Sequence, residues 1–453
     1  MSVYVNRVLN LKKIKAIGFD MDYTVVRYDS KNFEEFAFRQ TLKKLHEVRN
    51  YPVEVLDLEF DFETVIQGLV IDRKRGNLLK LSRFGKVKSS KHGTTPINFR
   101  AQQKIYGNLT IDLAESNYQS LDTMFSISNG ILYAKLVDLK AAGVELPSFE
   151  NIAVDIKAML DLIHSDGSLK NEIRKNPEKY VLKDPEAVEL LERLKLSGKQ
   201  LLIITNSEFP YCKFLMEYAI KPYLKHFKDW TKLFDIVITL SRKPSFFNQR
   251  NSILSIDEES GMMSNWFNKV TNGVYQGGSA LNLQEDLGLE GEEILYIGDH
   301  IYGDVVSLKK TCNWRTALVF EPLDSEIQAL KKSQPIQNKI DTLMQEKRDL
   351  EIKFNSLDRN TGTKDKDEAI KISDRLDVIN KEISEFIDTY NSHFNQHWGQ
   401  MMRAGSEESR FADQVEKYAC IYMTKVSDLL DYTPKTYFRP QKRILPHEME
   451  IFE

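Results

Sequence analysis

Residues 14–24 read IKAIGFDMDYT, a short apolar run that ends in two aspartates one residue apart. An Ile/Ala/Phe run without polar alternation is how a strand buried on both faces of a parallel sheet reads. Four further runs share the form: Leu201–Asn206 (LLIITN), Phe234–Leu240 (FDIVITL), Glu293–Asp299 (EILYIGD) and Thr316–Pro322 (TALVFEP). Helical patterns lie between them, such as Pro185–Ser197, which Gly198 closes just before the second run. This alternation predicts a doubly wound α/β sheet.

Side chains alternate in direction along an extended segment, so Asp20 and Asp22 point the same way. Their charges repel, and nothing structural favours the pair unless a cation or a substrate sits between them. They also end a buried strand at its carboxyl edge, where open α/β sheets bind ligands. The other runs end in Thr205-Asn206-Ser207, Arg242-Lys243-Pro244 and Gly298-Asp299, the last followed by Asp304. Singly, these read as turn residues, helix caps or a surface charge. Together they bring three or four carboxylates to one sheet edge, which calls for a hard divalent cation. Thr205 and Lys243 add a hydroxyl donor and a positive charge, as a phosphate requires.

The chain has 453 residues and a mass of 52.6 kDa, enough for about two to four domains. Lys and Arg number 63 against 66 Asp and Glu, a net charge of −3 that selects neither nucleic acid nor an anionic membrane. Cys212, Cys312 and Cys420 are far apart and predict neither a disulfide framework nor a zinc site. No secretory leader and no run of eighteen apolar residues is visible. A soluble, cytoplasmic protein is the expectation.

About 180 residues separate the first strand from the second, so an inserted domain is expected there. Its first part, 53–91, is β-rich with turns at 74–77 and 84–86, and its second part, 121–164, reads as helices. The expected division is a core over 1–45, an inserted cap over 46–179, core again over 180–322, and a helical region over 323–453. In the last, Ile336, Ile340, Leu343, Lys347, Leu350, Phe354 and Leu357 form a heptad seam, with the polar loop Asp358–Asp367 after it. Ile372, Leu376, Ile379, Ile383, Phe386 and Tyr390 repeat the seam, predicting an antiparallel hairpin that packs on itself; subunit contact is the alternative use.

The order Asp-x-Asp, Thr, Lys, Asp…Asp resembles the four motifs of the haloacid-dehalogenase-like (HAD) superfamily of phosphohydrolases. More narrowly, FDMDYTVV (19–26), LLIITNSE (201–208), SRKPSFF (241–247) and ILYIGDHIYGDV (294–305) resemble the cytosolic purine 5′-nucleotidase family, which prefers IMP and GMP. The likeness extends to DRKRGNLLKL (72–81), MFSISNGILYAKLVD (124–138), HSDGSLK (164–170), EKYVLKD (178–184), FADQVEKYACIY (411–422) and LPHE (445–448). The expected fold is thus a HAD-like doubly wound parallel sheet with an inserted α+β cap and a C-terminal helical hairpin.

The chemical reading makes Asp20 the nucleophile that forms an aspartyl-phosphate and Asp22 the general acid and base. Mg²⁺ is expected on the Asp20 carboxylate, the Asp22 backbone carbonyl and Asp299, with Asp304 ordering water or holding Lys243. Thr205, Asn206 and Lys243 are expected to stabilise the equatorial phosphoryl oxygens. The resemblance implies Phe125 as a ring that stacks on the purine, Asp161 and Lys170 as polar contacts around it, and His164 nearby. Lys157 stands where the family has Arg, and Ser126 where it has Asn; Lys cannot make the planar bidentate contact of Arg, so base preference and affinity are what the resemblance carries over least. Tyr302 stands at an aromatic position of the family's nucleotide-effector site, and a homotetramer is implied. Family members often end in a long acidic tail; this chain ends at Met449–Glu453, so regulation through such a tail is expected to be absent. The expected activity is Mg²⁺-dependent hydrolysis of purine nucleoside monophosphates, IMP and GMP foremost, with nucleoside phosphotransfer as a second activity. Its rivals are a HAD phosphatase of another phosphorylated metabolite and a non-catalytic scaffold acting through the hairpin.

Overall fold

In the computed structural model, which describes residues 3–358, 364–442, 444–445 and 447–448, all five apolar runs are strands of one sheet. Its parallel part comprises β1 (Ala16–Phe19), β2 (Gln200–Ile204), β3 (Ile236–Thr239), β4 (Gly273–Gly277), β5 (Ile294–Gly298), β6 (Arg315–Val319) and β7 (Ile421–Met423), in the order β7-β6-β5-β1-β2-β3-β4. The expected doubly wound α/β class is what the chain adopts. Val3–Val5 pairs antiparallel with β7, and Ile253–Ile256 with Met263–Asn265 extends the opposite edge beyond β4. β1 lies between β5 and β2, and every residue of β1 and β5 is buried, as their unbroken apolar sequence requires. Gly18 in β1 faces Tyr296 in β5, and a Cβ at Gly18 would stand 2.8 Å from the tyrosine ring. The short strands β4 and β7 carry no long apolar run, so neither was expected.

The chain leaves this sheet after Arg27–Tyr28 and returns at Val181–Leu182, and these two segments pair antiparallel as the neck of the insertion. Between them lie α1 (Ser30–Arg49), α2 (Ile127–Ala141), α3 (Phe149–Ser165), α4 (Ser168–Lys175) and a five-stranded antiparallel sheet. That sheet contains Val70–Asp72, Asn77–Leu81 and Val87–His92, joined through the expected turns at Gly76 and Gly85, both at positive φ. The boundary expected at 45/46 falls inside α1, which is capped by the Asp29 side chain and packs on α2 and α3. The insertion therefore begins at the neck rather than at residue 46.

The C-terminal region also differs from expectation. Residues from Ala404 onward belong with Met1–Glu321 in one compact unit and supply β7 to the main sheet, so the helical region does not run to the end of the chain. The second unit, Pro322–Arg403, holds the hairpin: α5 (Pro185–Leu196) and α6 (Phe209–Ala219) of the core precede its helices α7 (Leu323–Asp358) and α8 (Lys364–Asn391) in the chain. Ile340, Ile372, Ile379 and Ile383 are buried along the seam, and Arg375 reaches Glu346 with two contacts of 2.8 and 2.9 Å. The hairpin is antiparallel and packs on itself. Residues 359–363 of its expected loop, and the terminal 449–453, lie outside the described residues. Among the described residues no helix is long and apolar enough to cross a membrane.

Glu34 on α1 is buried, and its Oε2 accepts the Ser128 N–H at the start of α2 at 2.8 Å. Burial pushes its carboxyl up to about 7 from an ordinary 4.5, against the pull of Ser128. Between those values the folded chain keeps a proton that the unfolded chain gives up. Glu34's contribution is therefore favourable below about 4.5 and is lost as pH rises towards 7, by roughly 3 kcal/mol. The thermal midpoint of Glu34→Gln should gain on wild type between pH 5 and pH 8; a constant difference across that range would refute the assignment.

Candidate active site

Asp20 follows β1 directly and is held in register by its N–H on the Ile297 carbonyl of β5, 2.8 Å away. Its Oδ1 accepts the Met21 N–H at 2.7 Å and its Oδ2 faces the Lys243 ammonium at 2.9 Å. Burial pushes its carboxyl up to about 7 against the opposing pull of Lys243. Asp22 is equally buried, and both of its oxygens accept hydroxyls: Oδ1 from Tyr28 at 2.6 Å, Oδ2 from Ser207 at 2.9 Å. Burial also raises its carboxyl, while these two hydroxyls pull it down. Tyr23, next in the chain, has φ +54°, a strained position for a residue with a side chain and one that recurs in functional loops.

Lys243 enters from the loop after β3 and is almost fully buried. Its ammonium contacts Asp20 Oδ2 at 2.9 Å, Asp304 Oδ1 at 2.8 Å and the Tyr296 hydroxyl at 3.0 Å, one acceptor for each of its three protons. Burial works against its charge, but Asp20 and Asp304 hold it protonated far above the usual lysine range. The Tyr296 hydroxyl in turn donates to the Ile204 carbonyl of β2 at 3.0 Å, which explains why β1 needs a glycine beneath the ring. Thr205 is fully buried; its Oγ1 accepts the Ser207 N–H at 3.0 Å and keeps its own proton to donate. Asn206 behaves differently from expectation. Its Oδ1 accepts the Lys243 N–H at 2.6 Å and the Ser241 hydroxyl at 3.0 Å, and its Nδ2 donates to the Lys243 carbonyl, so the side chain ties two loops together.

Asp299 precedes and Asp304 lies within a π-helical turn over Ile301–Val306 that follows β5. Asp304 Oδ2 accepts the His300 N–H at 3.1 Å, and a Cβ at Gly298 would lie 2.4 Å from that same oxygen. Only glycine admits the carboxylate there. Asp20, Asp299 and Asp304 each place an oxygen within 4.8 Å of the others. Burial, then the neighbouring Asp20 and Asp304, pushes Asp299 well above the carboxylate range. Three buried, mutually repelling oxygen donors suit a hard divalent cation. The Asp22 side chain is not among them, since Tyr28 and Ser207 occupy it.

The insertion brings some of its expected residues together and leaves others apart. The Phe125 ring meets Tyr23 edge-on at 4.6 Å, Phe33 at 5.4 Å and His164 at 5.8 Å. Burial, aided by the Lys170 charge, lowers His164 to about 4, so its imidazole is neutral near neutral pH. Lys170 pairs with Glu208 at the start of α6 and lies over the Tyr211 ring at 5.2 Å. Lys157 and Asp161 are exposed on α3, and the Ser126 hydroxyl serves a capping box with Thr123. Tyr302 is 49% exposed on the turn between Asp299 and Asp304.

Three residues that shape the site were not anticipated in these roles: Tyr28, Ser207 and Tyr296. A tyrosine inside an otherwise aliphatic buried strand was the available signal for Tyr296, because its hydroxyl must find a partner. Tyr28 has no such signal; only the tertiary fold turns it back onto Asp22.

A model of the 5′ nucleotidase family matches residues 3–450. A Dictyostelium discoideum 5′-nucleotidase domain-containing protein is 26% identical over 458 residues, covering 99% of this chain and 75% of its own. Among solved structures, a HAD phosphatase from Thermococcus onnurineus matches at 15% identity and TM-score 0.28, covering 68% of this chain and 87% of its own. CbbY from Rhodobacter sphaeroides, in complex with phosphate, matches at 13% identity and TM-score 0.26, covering 68% and 86%. Overlays this loose add nothing to the strand order.

Two outcomes test this geometry. Magnesium should raise the thermal midpoint, EDTA should reverse the rise, and Asp299→Asn should remove it; a midpoint indifferent to divalent cations would exclude the cluster as a metal centre. Gly298→Ala should displace Asp304 and cut phosphate release about 100-fold in a folded protein.

Proposed function

The chain belongs to the 5′ nucleotidase family and is a phosphoric monoester hydrolase, and from this premise we propose that it hydrolyses purine nucleoside 5′-monophosphates with Mg²⁺. The observation that carries the reading is Asp20 at the carboxyl end of the central strand. One oxygen of Asp20 lies on Lys243, and a separately held carboxyl, Asp22, follows two residues later. The Asp20 carboxylate attacks phosphorus and the bond from phosphorus to the ribose 5′-oxygen breaks. Asp22 gives that oxygen its proton, and the nucleoside leaves. Asp22, now a carboxylate, then takes a proton from the water that cleaves the aspartyl-phosphate. Lys243 and the Thr205 hydroxyl face the charge that shifts onto the phosphoryl oxygens, and Asn206 fixes the spacing of their two loops.

Asp20 and Asp299, with the Asp22 carbonyl, would hold Mg²⁺, with Asp304 beside them. Bound there, the ion neutralises phosphate charge and aligns it with the nucleophile. Phe125 offers the base a ring face, and the neutral His164 offers a hydrogen-bonding edge without a charge. That pairing suits an uncharged purine, and the resemblance to IMP- and GMP-preferring enzymes makes 6-oxopurines the first choice. A nucleoside in place of water would accept the phosphoryl group from Asp20, which gives phosphotransfer as a second activity.

Phosphate release should be selective for purine monophosphates over pyrimidine monophosphates and sugar phosphates, should require Mg²⁺, and should vanish in Asp20→Asn. Release from sugar phosphates alone would keep the hydrolase chemistry and discard the base assignment. Phe125→Ala should raise KM for IMP about tenfold or more with a smaller change in kcat, as expected for a stacking contact.

A further inference from the structure

Asp22 is held from two sides by groups that its proposed role does not by itself demand. The Tyr28 hydroxyl donates to Oδ1 at 2.6 Å and the Ser207 hydroxyl to Oδ2 at 2.9 Å, so neither carboxyl oxygen lacks a donor. Both donors are themselves fixed. Tyr28 sits in the neck of the insertion, opposite Val181, with its ring packed on Tyr23 at 5.1 Å and Phe33 at 5.0 Å. Its hydroxyl also lies 3.2 Å from that of Tyr211 on α6. Ser207 donates its N–H to Thr205 Oγ1 at 3.0 Å, and its carbonyl accepts the Leu240 N–H at 2.9 Å.

We propose that Tyr28 and Ser207 are positioning residues that act through Asp22, aiming its carboxyl and stabilising the charge it acquires as it protonates the leaving oxygen. The inference rests on the reading of Asp22 as general acid given above. In that step the bond between the Asp22 oxygen and its proton breaks as a bond from that proton to the ribose 5′-oxygen forms. The electron pair of the broken phosphorus–oxygen bond stays on the ribose oxygen, and Asp22 becomes a carboxylate. Hydroxyl donors on both carboxyl oxygens strengthen as that negative charge develops, and in a buried site they need no rearrangement to do so. When the carboxylate later takes a proton from water, the same bonds oppose the transfer. Their benefit therefore lies in the first half of the reaction and scales with how badly the leaving group needs a proton. Because Tyr28 belongs to the neck, the seating of the insertion also sets the aim of the acid.

The test compares kcat/KM, which reports the steps through departure of the leaving group, for full-length wild type, Tyr28→Phe and Ser207→Ala. IMP supplies a ribose alkoxide that needs a proton; acetyl phosphate and p-nitrophenyl phosphate release anions that do not. Tyr28→Phe should lower kcat/KM for IMP about 10- to 100-fold, and by at least tenfold more than for the other two substrates. Ser207→Ala should shift the same ratio in the same direction, and it carries the test alone if Tyr28→Phe does not fold. Equal losses on all three substrates, the mark of a purely structural role, would overturn the inference and leave the hydrolase reading intact. No loss on any of them would do the same. A folded wild type that releases phosphate from none of them would overturn both.

Discussion

One ammonium stands among four buried carboxylates, and most of the site's architecture follows from that imbalance. Lys243 can neutralise only part of the charge on Asp20, Asp22, Asp299 and Asp304. Burying unpaired charge is expensive, so each remaining oxygen needs a donor, a proton or a cation. The fold supplies different answers at different oxygens. Asp22 has two hydroxyls, Asp304 has a backbone N–H, and Asp20 has Met21 and Lys243. Asp20 and Asp299 are pushed towards the protonated state, which is the condition a divalent cation relieves.

The glycines beside this cluster are consequences of the same crowding. Gly18 makes room for Tyr296, whose hydroxyl takes the third proton of Lys243, and Gly298 makes room for the Asp304 carboxylate. Neither marks a turn. Gly18 lies inside β1 and Gly298 ends β5, and the close approach of another group is the reason each is there.

The insertion contributes differently from the core. Its aromatic cluster is joined through Tyr23 to the loop that carries Asp20 and Asp22, and its neck carries Tyr28 to Asp22. Lys157 and Asp161, at positions that the family resemblance assigns to the purine's surroundings, are exposed on α3. Asp20, Lys243 and Asp304, by contrast, touch one another directly. The hairpin forms a unit of its own whose seam is filled by its own isoleucines.

The sequence alone determined the five aliphatic strands, because an apolar run too short for a helix and unbroken by polar residues has few places to go except a buried parallel sheet. It also determined which strand ends carry Asp, Thr and Lys, and so the class of chemistry. Periodicity was enough for the hairpin, whose contacts are local in pattern. Only the tertiary structure decided that Ala404 onward returns to add β7, that α1 belongs with the insertion, and that Asn206 braces a loop. The same is true of Tyr28, Ser207 and Tyr296, whose partners lie 6 to 185 residues away in the chain. Residue type names the donors available; only folding sets which carboxylate each of them meets.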